Sequence, residues 1–406
     1  MSNEEKKTGF WVSLSVLSLF MLSQTSFIVN PVLSNLAALY PDVPYYVITM
    51  VSTVISLISI PMAYIGGALA GQKVKFKTLT IIAIACVLIG GLAPYFYDGF
   101  YFLFATRIVV GAGLGLSQPF GNALVIALFK GKKQEDMSGY GMIFQNISGV
   151  IFNIASGYLA VFNLKYVWLL HLVQVIPLIL VVLFLPEPEK QTAEKVQKTS
   201  IKVWQLPLGV HIEGFMYSFF LLVLMYPYLL NTSSVITGEG IGTTALAGTI
   251  NSAYTVGGLI SGFTFAFLFR KLKKFTIPAA LLCEGLALAV MAYTKTPIAF
   301  IIASAVIGFM KFTQWPNIFL DFNKYLGETN KLEAAGLASG MFFVWLNVGA
   351  FFCSFWIGLL AKITGNNNPR LPMRVGCVGL VICAVIWGLL ILLNKIHPAM
   401  PEESQK

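Results

Sequence analysis

Apolar residues recur along this chain in long unbroken runs, separated by short polar punctuation. Runs such as "TLTIIAIACVLIGGLAPYF" show no alternation of apolar and polar positions, so they do not read as the roughly 10-residue strands of a membrane β-barrel. They are long enough to cross a hydrocarbon core of about 30 Å as helices, and a helix satisfies its own backbone in lipid. The pattern predicts twelve such segments, near residues 10–38, 45–70, 78–97, 100–129, 138–162, 165–186, 204–231, 244–269, 275–294, 297–322, 333–364 and 371–396. The expected fold class is an all-α polytopic membrane protein.

The polar punctuation sets orientation. Alternate connections are strongly basic, with Lys73, Lys75 and Lys77, then Lys130, Lys132 and Lys133, then Arg270, Lys271, Lys273 and Lys274. The opposite set holds only Lys165, Lys295, Lys362, Arg370 and Arg374. Basic loops resist translocation, so both termini are expected in the cytoplasm, in a multi-pass protein of the cell (plasma or inner) membrane. The net charge of +10 is then a record of topology, and the lipid bilayer, not nucleic acid, is the expected partner. The opening "MSNEEKKTGF" leads into an apolar run too long for a signal-peptide core, and is taken as leading into a retained first span.

Composition agrees. Over 406 residues 57% are hydrophobic and 11% charged, with mean hydropathy +0.78, against about 25% charged in a soluble domain. No soluble domain of useful size remains. Five cysteines, Cys86, Cys283, Cys353, Cys377 and Cys383, lie in apolar runs without CxxC spacing and read as small buried hydrophobes, not metal ligands. No G-x-x-x-x-G-K-[ST] phosphate loop occurs, so neither a cofactor nor direct use of ATP is expected, and the chain does not read as an enzyme.

The longest polar connection, "LPEPEKQTAEKVQKTSIKVW" (Leu185–Trp204), predicts an N-terminal six-helix bundle over 1–186, a cytoplasmic linker over 187–203 and a C-terminal six-helix bundle over 204–406. The halves echo one another: Gly111, Pro119 and Gly139 recur as Gly308, Pro316 and Gly336, each displaced by 197 residues. Internal duplication of this kind is common among secondary transporters.

Six helices plus six, with a central cytoplasmic loop and a basic loop between the second and third segments, resemble the major facilitator superfamily over nearly the whole chain. The loop "GGALAGQKVKFK" is similar to that family's signature at Gly67, Leu69, Ala70 and Lys75, and departs from it where Gly71 stands for the usual aspartate, Gln72 for a frequent arginine and Val74 for glycine. The fourth segment carries "RIVVGAGLG" (Arg107–Gly115), similar to the family's R-x-x-x-G pattern, in which the arginine is implicated in proton coupling. The fifth segment lacks the glycine-proline kink typical of the drug-exporting branches. The resemblance implies two pseudo-symmetric bundles whose segments 1, 4, 7 and 10 line a central cavity.

Four charges sit deep in the spans, Arg107, Glu213, Glu284 and Lys311, with Asp321 near the cytoplasmic end of the tenth. Each costs roughly 2.5–3.5 kcal/mol at a helix centre if unpaired. A rise of 1.5 Å per residue puts Glu213 and Lys311 at similar depth, so one reading has them neutralise each other. The other reading gives Lys311, with Gln314 and Trp315 on its face, to the substrate, alongside Gln118, which helical spacing puts on Arg107's side, and Tyr217, Gln24 and Asn30. Glu213 and Arg107 are then the proton-coupling candidates. Glu284 reads as structural, His171 and His211 as packing residues, with His211, close before Glu213, also a minor proton-relay candidate, and Gln145, Asn146 and Asn347 as interhelical hydrogen-bond glue. The function expected is a monomeric, proton-coupled symporter of a small organic solute, an organic anion, working by alternating access. A multidrug/proton antiporter and a non-transporting membrane receptor or scaffold are the alternatives.

Overall fold

The computed structural model describes residues 9–70, 73–188, 201–396 and 398–400. Gly71 and Gln72, and residues 189–200 of the expected linker, lie outside these. The chain divides into two compact units, Met1–Lys198 and Thr199–Lys406. The first holds α1 (Phe10–Leu39), α2 (Tyr45–Leu69), α3 (Phe76–Tyr95), α4 (Phe100–Leu128), α5 (Lys132–Phe162) and α6 (Tyr166–Phe184). The second holds α7 (Leu208–Gly238), α8 (Thr244–Leu272), α9 (Thr276–Tyr293), α10 (Pro297–Glu328), α11 (Leu332–Thr364) and α12 (Leu371–Leu392). Among the described residues ten helical stretches are long and apolar enough to cross a membrane, and one of them, Thr244–Tyr293, contains both α8 and α9. α5, whose first turn reads "KKQED", completes the twelve. Among the described residues the only β-type pairing is an isolated bridge between Ala70 and Val74.

Several helices are interrupted. α1 contains a 3₁₀ stretch, Ser23–Val32, with Pro31 inside it, and its buried hydroxyls at Ser15, Ser18 and Thr25 bond carbonyls of their own helix, as such side chains do in helix interiors. α4 ends at Ser117 and restarts at Phe120, because Pro119 cannot donate to the ladder. α6 contains a 3₁₀ turn, Leu170–Gln174, and α7 a π-turn, Met216–Phe220.

Small residues let the helices approach closely, as helix packing in lipid requires. In the first unit a Cβ on Gly111 would meet Ile55, and one on Gly115 would meet the Ser59 carbonyl, tying α4 to α2. In the second, a Cβ on Gly308 would lie 1.9 Å from the Tyr254 carbonyl and one on Gly257 2.0 Å from that of Ala305, tying α10 to α8. The repeat seen in sequence is thus a repeat of helix contacts. Gly139 and Gly336 share open surroundings instead, and Pro316 sits inside an unbroken α10, unlike Pro119. Buried aliphatics such as Val16, Ile84, Val87 and Val110 fill the first core, and Met225, Leu281, Leu288 and Ile307 the second.

The turn between α2 and α3 closes through Val74 N–H donating to the Leu69 carbonyl at 3.0 Å. Gly67, Leu69 and Lys75 stand at this connection, with Lys75 exposed at the head of α3. The acid that serves the head of α3 is Glu187: its carboxylate accepts from Phe76 N–H at 2.7 Å and Lys77 N–H at 3.1 Å. Those amides have no intrahelical acceptor, and a carboxylate there also complements the helix dipole.

Candidate functional site

Lys311 is 1% exposed on α10. Its ammonium donates to the Tyr217 carbonyl at 3.5 Å, within the π-turn where α7's ladder widens; such turns often mark functional sites. The acid whose charge it meets is Glu284 of α9. Glu284 is 0% exposed; its Oε1 accepts from Gln314 Nε2 at 2.8 Å, and its Oε2 has no hydrogen-bond partner. Two contacts of α10 one turn apart thus reach different helices, Lys311 to the α7 backbone and Gln314 to the α9 carboxylate.

One reading of the sequence is corrected: Glu213 is not Lys311's partner among the described residues, whereas Glu284, read as structural, accepts a hydrogen bond from a neighbouring helix. Glu213 Oε1 accepts from the Tyr325 hydroxyl at 2.7 Å, and its charge meets Asp321. It lies one turn from Tyr217, roughly 6 Å along α7, on the side away from the centre of the span. Asp321 Oδ1 accepts from the Ala399 N–H at 2.5 Å, which brings the described tail residues against α10. Glu213 and Asp321 are thus two buried carboxylates, 7% and 2% exposed, served by one phenol and one backbone amide. Glu213 Oε2 has no partner.

Gln314 and Trp315 turn to different neighbours. At 100° per residue they fall on opposite flanks of Lys311: Gln314 turns to Glu284, whereas the Trp315 ring packs 4.9 Å from Phe312 and edge-on to Phe342 and Phe343 of α11. The Tyr217 side chain is 1% exposed, edge-on to Trp387 at 5.3 Å, with its hydroxyl unpartnered.

In the first unit Arg107 and Gln118 differ in surroundings, Arg107 in the helix interior and Gln118 at its last turn before Pro119. Gln118 is exposed. Arg107 is 0% exposed and turns into its own unit, donating to the Gly90 and Gly91 carbonyls of α3 at 3.0 and 3.5 Å. No acid pairs with it among the described residues, so the proton-coupling role implied by the resemblance finds no proton carrier beside it. Asn30 is buried and accepts from Ser52 at 2.5 Å; Gln24 is buried beside Ser23, which also receives Gln145 from α5 at 3.1 Å. Asn146 and Asn347 bond carbonyls of their own helices instead of bridging two. His171 is buried and His211 half-buried.

Sequence reasoning also missed Arg370, which it took for a loop charge. Arg370 is 3% exposed. It grips Glu239 through Nε and Nη2 at 2.5 and 3.0 Å, while Nη1 donates to the Met291 and Thr294 carbonyls, so it fastens the ends of α7, α9 and α12. Hydrogen bonding to Arg370, then the Arg370 and Lys295 charges, hold the Glu239 carboxyl below its ordinary range against the opposing pull of burial.

The sequence profile of the Major Facilitator Superfamily matches residues 15–352. No curated protein matches the chain in sequence. Solved structures do match in fold. A bacterial homolog of the human lysosomal transporter Spinster, inward-facing and occupied, is 12% identical with a TM-score of 0.72, over 96% of this chain and 98% of its own. A peptide transporter, POT, is 12% identical with a TM-score of 0.71, over 94% and 95%. A D-xylose-proton symporter is 13% identical with a TM-score of 0.68, over 93% and 97%.

Proposed function

The chain belongs to the Major Facilitator Superfamily and is a multi-pass membrane transporter; from that membership we propose that it carries a small organic anion together with a proton, by alternating access. In this reading it works as a monomer in the cell membrane, with both termini cytoplasmic and no cofactor. The observation that carries the reading is a buried ammonium, Lys311, one turn along α10 from Gln314, whose amide donates to the buried Glu284 carboxylate of α9. While Glu284 is ionised it claims the ammonium. A proton on Glu284 cancels that claim and leaves the ammonium to an anionic substrate group, so proton and anion load together and leave together. Breaking such a pair without replacement is costly, which disfavours loading either alone.

Gln314 Oε1 and the Tyr217 hydroxyl, both buried and unpartnered, are the neighbouring groups proposed for substrate hydrogen bonds. Glu213, one turn further along α7, is proposed as a second proton-handling group. The fold likeness to a D-xylose-proton symporter supports proton symport without naming the solute.

The test is transport into proteoliposomes, after a thermal-shift screen of carboxylates, sugars, peptides and hydrophobic cations has found a stabilising ligand. Glu284→Gln keeps the amide-to-oxygen contact but removes the charge; it should abolish accumulation driven by a pH gradient while leaving substrate exchange measurable. Glu213→Gln, assayed alongside, reports whether the second site shares the coupling. Undiminished uphill transport in Glu284→Gln would sink the coupling role, and stabilisation by hydrophobic cations alone would favour a multidrug/proton antiporter.

A further inference from the structure

Arg107 carries a charge that a protein side chain cannot shed by losing a proton, and no acid answers it among the described residues. Its Nη2 bonds two α3 carbonyls and its guanidinium lies 5.0 Å from the Trp168 ring centroid, contacts that solvate the group without neutralising it. Its Nε and Nη1 have no partner although the residue is 0% exposed.

The surroundings repeat the shortfall. The His171 ring lies against Gly91 and in the field of Arg107. Gln174 follows three residues later on the 3₁₀ turn of α6, where side chains three apart eclipse. It is 0% exposed, and neither atom of its amide has a partner. Buried polar groups are almost always satisfied, and a buried unpaired charge is among the costlier defects a fold can hold. Water alone would satisfy the donors and leave the charge.

We infer that the space between α3, α4 and α6 binds a small monovalent inorganic anion of the chloride class, with Arg107 Nε and Nη1 and the Gln174 amide as its donors. His171 donates Nδ1–H to the Trp168 carbonyl at 3.2 Å, so a neutral ring turns a lone pair inward at Nε2 and leaves the anion to the Arg107–Gln174 side. The anion is small because Arg107, His171 and Gln174 are each 0% exposed, a setting with room for an ion and not for an organic anion. A cavity of about 230 Å³ opens beside the α1–α2, α3–α4 and α5–α6 connections, lined in part by Trp168 and by Lys165 and Asp98, which pair with each other. It supplies an approach from the aqueous face.

The experiment is thermal unfolding of the purified full-length protein in chloride, bromide or gluconate at constant ionic strength and with one cation, which requires no transported solute and stands apart from the coupling mechanism. Chloride and bromide should raise the midpoint saturably above gluconate. Arg107→Met should erase that increment and, in gluconate, unfold no earlier than the parent; Gln174→Leu should weaken the apparent halide affinity by roughly tenfold, the loss of one charge-assisted contact. The inference is overturned if no halide raises the wild-type midpoint, or if Arg107→Met keeps the full increment. Should Arg107→Met fail to fold, Gln174→Leu decides: a halide midpoint equal to wild type rejects the site.

Discussion

At the 197-residue offset that carries Gly111 onto Gly308, Glu213, Glu284, Lys311 and Asp321 of the second unit correspond to Val16, Val87, Leu114 and Leu124 of the first. Those four are buried aliphatics, none more than 8% exposed. In the other direction Arg107 corresponds to Ser304, a buried hydroxyl donating to the Ile250 carbonyl. The helix contacts are common to both units and the buried charges are not. A frame that packs well with valine and leucine at these places does not require ions there, and each ion is expensive in lipid. The buried charges of the second unit are therefore not a requirement of the helix packing that the two units share.

Borrowing the residues of the first unit puts that difference at risk. Lys311→Leu alone should destabilise the protein by about 3–5 kcal/mol, because Glu284 is left buried without its cation. Adding Glu284→Val should recover most of that loss, since an apolar pair of similar volume is often neutral or stabilising. Neither variant should accumulate substrate. Denaturation in detergent together with uptake assays would check this, and a double variant no more stable than the single would break the comparison.

The shared frame has its own asymmetry. A Cβ on Gly308 would come within 1.9 Å of the Tyr254 carbonyl, whereas one on Gly111 would come within 3.0 Å of Ile55. Gly308→Ala should cost about 1–3 kcal/mol, the usual range for overpacking, and Gly111→Ala distinctly less. Equal melting shifts for the two would show that α8 and α10 relax as readily as α2 and α4.

Ion pairs at the helix ends differ similarly. The folded Glu239 carboxyl titrates below its ordinary value of 4.5, so its pairing with Arg370 contributes stability fully present above that value and lost as pH falls through the depressed one. The melting temperature should drop on acidification over this window, and Glu239→Gln should flatten that part of the profile. The smallest effect belongs to the first unit, where Lys165 pairs with Asp98 at 2.6 Å with side chains 45% and 55% exposed. Lys165→Ala should shift stability by less than about 1 kcal/mol, as a melting curve at neutral pH would report.

Helix positions were legible because apolar length alone announces them: 275–294 was expected and Thr276–Tyr293 found. Ends were less so. α10 runs to Glu328, six residues past its expected end at 322, because "NKYLGE" continues the helix beyond the apolar run. Depth along a helix was legible too, but azimuth was not, and a residue's partner depends on azimuth. Glu213 and Lys311 were matched by height, yet Lys311 turns to α9 and Glu213 to Tyr325. A chain-wide tally of acids against cations, with Glu284 counted, would have offered the right partner. Nothing local in "QPF" and "WPN" tells that the first proline breaks its helix and the second does not.

The π-turn in α7 amounts to one extra residue wound into an α-helix. Its removal would leave a helix that is continuous and, by propensity, no worse. A widened turn, however, absorbs its extra residue locally, so deleting one position within Met216–Phe220 would leave the helix on either side close to its present phase. Glu213 would keep Tyr325 within reach, while the widened turn that offers the Tyr217 carbonyl to Lys311 would be gone. The extra residue changes what one turn of the span presents without re-registering the rest.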